Sequence, residues 1–171
     1  SISGGLGSDT IIFGVNLTSS DTIDGGSEID VLTFTDGNGA SDDLDRVTNV
    51  ETITLGNADT NVTSVDTLVA SGAMLTVDGS GLTGTNNLTW DGSAELDGSF
   101  QISGSDQGDN ITGGADADTI IGGTGGDTIS GSGGSDSITS GSGNDSISGG
   151  AANDTLVFDV NLTSSDTIDG G

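Results

Sequence analysis

The sequence predicts an all-β chain, a parallel β-roll or β-helix solenoid in which short strands stack turn upon turn. Three observations carry this expectation. Residues 104–157 divide into six consecutive nonapeptides, each with Asp sixth and Ile or Leu eighth. The chain has 32 Gly and no Pro among 171 residues, so left-handed turns are accessible throughout. No helical period runs far, whereas apolar residues alternate with small polar ones between Gly, Asn and Asp clusters.

Taken in order, residues 1–33 read as rungs opening a 145-residue unit. GGLGSDTII (4–12) fits the nonapeptide, with Asp9 sixth and Ile11 eighth. SSDTID supplies Asp21 and Ile23, and GGSEIDVLT (25–33) supplies Asp30 and Leu32, at the same relative spacing. Residues 34–103 are expected to continue the solenoid with longer, irregular rungs. Strands are expected at Val50–Leu55, Ala73–Val77, Leu88–Trp90 and Phe100–Ile102, with at most a turn of helix at 40–47. Trp90 is expected in the core or as a cap, and Asp42, Asp43 and Asp45 in a solvated turn.

Residues 104–157 form the regular block. Its sixth-position residues are Asp109, Asp118, Asp127, Asp136, Asp145 and Asp154. Residues 158–171 begin the next unit: 146–171 match 1–26 at 20 of 26 positions, and VNLTSSDTIDGG occurs identically at 15–26 and 160–171. This second repeat supplies Asp166 and Ile168. The parent protein is expected to carry such units in tandem, with adjacent copies as the partner of each. No linker-like segment separates them, so one continuous or tightly abutted fibre is expected.

Within one nonapeptide the Gly-rich part turns and the last three residues make a short strand. The eighth residue points inward; the seventh and ninth point out. Two nonapeptides make one 18-residue turn, so loops two repeats apart lie above each other. That places Asp109, Asp127 and Asp145 in one column and Asp118, Asp136 and Asp154 in another.

Charge then decides what such columns need. Against 24 Asp and 3 Glu stands one Arg, for a formal charge of −26, with only 30% of residues apolar. A chain of this kind is normally disordered, and stacked like charges about 5 Å apart repel by several kcal/mol at an effective dielectric of about 20. A divalent cation between successive loops reverses that sign. Asp carboxylates with loop carbonyls suit the 6–8 oxygen ligands of calcium better than the strict octahedron of magnesium. Zinc and copper prefer His or Cys, and the chain has neither. The expected metal ligands are Asp9, Asp21, Asp30, Asp109, Asp118, Asp127, Asp136, Asp145, Asp154 and Asp166, binding several Ca2+ ions, each shared between stacked loops.

These nonapeptides resemble the GGxGxDxUx motif of the repeats-in-toxin (RTX, hemolysin-type calcium-binding) family. The resemblance covers 104–157 well and 4–33 in part. It implies a parallel β-roll with calcium between adjacent turns, secretion by a type I system, and an extracellular or cell-surface bacterial location. The sequence departs from the motif at Gln107, Asp116 and Ala152 in the fourth position, at Ser105 and Ser132 in the second and at Ser140 in the first. Asp116 stands either as an added ligand or as a solvent-facing residue.

Several function classes are disfavoured. Nucleic acid binding needs Lys and Arg. No apolar run approaches the roughly 20 residues of a membrane span. With no His, Cys, Lys or Tyr there is little for acid–base or nucleophilic work, so no enzyme is expected. The leading expectation is a structural module of a filament, adhesin or surface layer that folds on calcium after export. The alternatives are a glycan- or ice-binding adhesin module, or the non-catalytic RTX domain of a secreted enzyme or toxin.

Overall fold

The structure, a computed structural model, describes residues 1–36, 39, 41–158 and 162–171. Its strands form three parallel sheets, and the described residues contain no α-helix. The largest sheet stacks, in order, β2 (Thr10–Ile12), β4 (Val31–Phe34), β6 (Thr52–Leu55), β8 (Met74–Asp78), β10 (Ser99–Ser103), β12 (Thr119–Thr124), β14 (Ser137–Ser142) and β16 (Thr155–Val157). A second sheet stacks β7 (Thr60–Thr63), β9 (Leu88–Asp91), β11 (Asn110–Thr112), β13 (Thr128–Ser130), β15 (Ser146–Ser148) and β17 (Thr167–Asp169). A third holds β1 (Ile2–Leu6), β3 (Ile23–Ser27) and β5 (Val47–Thr48). Successive strands alternate between the large sheet and one of the smaller two. The chain is therefore a parallel β-solenoid of about eight turns, the expected fold.

Register is set by a row of inward residues running along each of the two larger sheets, to which β4, β6, β8, β9 and β10 add a second inward residue. In the large sheet Ile11, Leu32, Ile53, Val77, Ile102, Ile120, Ile138 and Leu156 are Cα partners in sequence. In the second sheet the row is Val62, Trp90, Ile111, Ile129, Ile147 and Ile168. A one-residue slip in a strand with a turn on each side would expose its core residue, and each buried Ile or Leu contributes about 1.5–3 kcal/mol. Trp90 is buried edge-on against Phe100, with ring centroids 5.5 Å apart.

In the regular block a turn takes 18 residues, as in the bond from the Asp109 N–H to Asp127. Elsewhere it lengthens, to 21 between Asp9 and Asp30 and to 25 between Asp36 and Asn61. The middle rungs are thus irregular but remain in the same ladders. The expected strands there are found within a residue or two, and β5 and β7 are additional. Of the stretch 40–47, Ala40 lies outside the described residues. Residues 41–46 form successive turns, with Asp45 N–H donating to the Asp42 carbonyl and Val47 N–H to that of Leu44. The expected solvated turn is only partly solvated: Asp42 and Asp45 are exposed, but Asp43 is buried with Leu44. Of the expected start of the next unit, 159–161 lie outside the described residues.

Candidate metal centres in two acidic ladders

Each sixth-position Asp sits just before its strand, two residues ahead of the inward apolar residue. Its Oδ1 accepts the backbone N–H of the residue one turn earlier. In one column Asp109 N–H donates to Asp127 Oδ1 at 2.9 Å, Asp127 N–H to Asp145 at 3.0 Å, and Asp145 N–H to Asp166 at 2.8 Å. In the other, Asp118 N–H donates to Asp136 at 2.8 Å and Asp136 N–H to Asp154 at 3.0 Å. Nearer the start, Asp9 N–H donates to Asp30 at 2.7 Å and Asp30 N–H to Glu51 Oε2 at 2.8 Å. One carboxylate oxygen of each is therefore a strut for the backbone of the preceding turn.

The second oxygen distinguishes the loops. Oδ2 of Asp9, Asp30, Asp127, Asp136 and Asp154 is buried without a hydrogen-bond partner. In their loops the second and fourth residues are left-handed, with φ of +116° at Gly123 and +106° at Gly125. Three non-glycine residues hold the same conformation: Glu28 (80°), Ser132 (75°) and Ala152 (84°). This costs about 1–2 kcal/mol each. The loop 140–145 is also open in this sense, with Gly141 and Gly143 left-handed. The first two regular loops are closed instead. Ser105 N–H donates to Asp109 Oδ2 at 2.6 Å and Gly114 N–H to Asp118 Oδ2 at 2.7 Å. Gln107 and Asp116 stand where the open loops have their second left-handed residue, and neither has positive φ. Asp116 faces solvent. Asp21 and Asp166 have Oδ2 capped by the N–H groups of Thr18 and Thr163.

Burial shapes the electrostatics. Desolvation, with the charges of Asp109 and Asp145 adding to it, pushes Asp127 up to about 7 against its backbone hydrogen bond. Desolvation likewise raises Asp118 to about 6 and raises Asp136. Asp166, at the open end, is lowered by the N–H groups of Thr163 and Asp145.

Where a loop begins with Gly, that residue completes the pocket; the loop 140–145 begins with Ser140 instead. A Cβ on Gly122 would overlap both Asp127 Oδ2 and the Ser140 carbonyl, and one on Gly131 would overlap Asp136 Oδ2 and the Gly149 carbonyl. Orphaned carboxylate oxygens thus share with a carbonyl of the next turn a space that admits no side chain. Buried anionic oxygens without donors, beside carbonyls, fit a hard divalent cation.

A family model described as RTX calcium-binding nonapeptide repeat (4 copies) matches residues 101–129 and 121–156. The matched block, about a third of the chain, is similar to RTX calcium-binding repeats. No curated protein and no solved structure matches the chain. The RTX block supplies both closed loops and four of the open ones, and an RTX β-solenoid is typically a non-catalytic structural domain. RTX repeats are typically found in secreted proteins, and no helix among the described residues is long and apolar enough to cross a membrane.

Outside the block, the sequence reading missed acidic residues with structural work. Glu51 continues the ladder of Asp9 and Asp30, and the signal was present: Glu51 and Ile53 keep the spacing of Asp and Ile in the repeat. Glu95 is fully buried, and its carboxylate accepts N–H groups of Val69, Asp97 and Gly98. It lies with Asp66 and Asp97, whose carboxylate oxygens come within 4.8 Å of one another and of its own. The outward seventh-position residues are split between two sheets. Asn110, Thr128 and Ser146 lie on one, and Thr119, Ser137 and Thr155 on the other, so neither presents a pure Thr ladder.

Proposed function

We propose that this chain is a structural module of a secreted bacterial filament, adhesin or surface layer, and that calcium drives its folding after export. The observation that carries this reading is the set of buried, partnerless Oδ2 atoms in the left-handed loops. Asp9, Asp30, Asp127, Asp136 and Asp154 would hold calcium first, each with carbonyls of the stacked loop, and Asp145 would join them through the left-handed turns at Gly141 and Gly143 of its loop. Asp109, Asp118, Asp21 and Asp166 would join only if the N–H groups on their Oδ2 give way. Bound calcium supplies positive charge between carboxylates that otherwise repel.

The mechanism is linkage. The unfolded chain has no preformed site, so calcium stabilises only the solenoid, by about 2.7 kcal/mol per site at a free concentration one hundred times Kd. At cytosolic calcium the charge of −26 keeps the chain open for export; at extracellular calcium the ladders close. Circular dichroism during a calcium titration tests this. The expected result is a cooperative gain of β signal reversed by chelator. A full β spectrum in excess chelator at pH 8 contradicts it.

A further inference from the structure

The duplication of 1–26 at 146–171 places one sequence in two structural settings. As the first turn of the solenoid it has no turn before it; as the last turn it has none after it. Ile2 is 42% exposed, whereas Ile147, the same residue of the repeat with a turn on each side, is 2% exposed. At the other end Ile168 is 46% exposed, whereas its counterpart Ile23 is fully buried. Each opened end is therefore covered, in its other copy, by what lies at the opposite end of the unit.

The hydrogen bonds say the same. Asp154 corresponds to Asp9. Asp154 shows the incoming half of the contact, accepting from Asp136 N–H, and Asp9 shows the outgoing half, donating to Asp30. Joined, they give one column: Asp118, Asp136, Asp154 (as Asp9), Asp30, Glu51. Within the unit the same column is broken. The residues in register between Glu51 and Asp118 are Leu75 and Phe100, both buried. The second column is broken likewise by Leu88 and Thr60, which precede Asp109. The open loops follow this division. They are 122–127, 131–136, 140–145 and 149–154 at one end, and 4–9 and 25–30 at the other.

We propose that consecutive 145-residue units fuse into one uninterrupted solenoid, and that its calcium sites are concentrated across the junction, built from loops of two units, while the middle of each unit is closed by apolar side chains. The occupant of each open end is a second copy of this unit. The calcium part rests on reading the open loops as calcium sites; the continuity part rests on burial and register alone.

The test compares the 171-residue chain with a chain carrying one further 145-residue unit inserted in tandem. Small-angle scattering in millimolar calcium reads the length. One unit holds seven strands of the large sheet, β2 to β14, so the maximum dimension should grow by about 34 Å, at roughly 4.8 Å per turn. Hydrogen exchange should show the amide of Asp154 at the internal junction protected and that of the terminal copy open. A larger or variable length increment, with the internal Asp154 amide exchanging like the terminal one, overturns continuity. For the calcium part, Asp154→Asn with Asp30→Asn at the internal junction should lower bound metal and raise the calcium needed to protect that junction by about tenfold or more. Unchanged metal content and unchanged protection overturn it, even if the length increment holds. Titration of the 171-residue chain alone decides separately whether calcium drives folding at all.

Discussion

A sixth-position aspartate has two tasks assigned to its two oxygens, and substitution separates them. In Asp127, Oδ1 holds the Asp109 N–H and Oδ2 faces the loop. Asp127→Asn keeps an acceptor but removes a desolvated charge flanked by Asp109 and Asp145. We expect the chelated protein to melt higher than the parent and the calcium-loaded protein to melt lower, both read by thermal denaturation. Asp127→Ala removes the strut as well and should cost a further 1–3 kcal/mol or so, the penalty of a buried unpaired N–H. Titration gives a second expectation at this scale. Asp127 is raised from 3.8 to about 7 and Asp118 to about 6 in the fold. A raised pKa means the folded state favours the protonated group. That contribution is full below about pH 4 and is lost as pH rises through 6 to 7. The chelated chain should therefore keep more β signal at pH 5 than at pH 8, and its dependence on calcium should be steepest above pH 7. Equal dichroism in chelator at both values would contradict this.

The loop is the element in which sequence departures become structural ones. Ala152 holds φ near +84° where the repeat prefers Gly. Ala152→Gly should relieve about 1 kcal/mol of strain, measured as a rise in melting temperature in calcium. Conversely, Ser105 and Gln107 accompany a closed loop in which the Ser105 N–H occupies Asp109 Oδ2. Replacing both with Gly should let positions two and four turn left-handed. Metal content of the folded protein should then rise, and an unchanged count would show that these side chains do not hold the loop shut. Much of this was legible in the sequence, because a strict nine-residue period fixes inward residue, loop and column together. The departures at Gln107 and Asp116 fall in the two loops that differ, but Ala152 departs at the same position and its loop stays open, so the motif alone does not separate them. What was not legible lies in the middle. There the turn length varies, so no period announces β5 or β7. Nor does composition separate Glu95, held by three N–H groups in the interior, from an exposed acid.

For the whole molecule, stability is divided between two sources in different places. A buried apolar row runs through the turns toward both ends as well, but around Leu75, Phe100 and Trp90 apolar side chains also stand where the turns nearer the ends carry stacked carboxylates that repel without a cation. Chelation should therefore act unevenly. Hydrogen exchange in chelator is expected to rise first at 122–157 and 4–33, and last in the strands that carry Trp90 and Phe100. Uniform loss of protection along the chain would argue for a single cooperative block. The closing of the ladders between sheets was predictable only in part: the sequence shows the columns at 104–157, but Leu75 and Phe100 enter them through pairing that only the structure reveals.

The whole number of turns in the unit has a consequence at the level of inheritance. Near-identical tandem segments in a gene gain and lose copies by unequal recombination. In most folds such an event leaves a mismatched seam. In the fused solenoid proposed above, every unit begins in the register in which the previous one ends, so a copy added or deleted shifts the strands by full turns and leaves each inward row intact. Reach can then vary between lineages, unit by unit, without any compensating change in sequence.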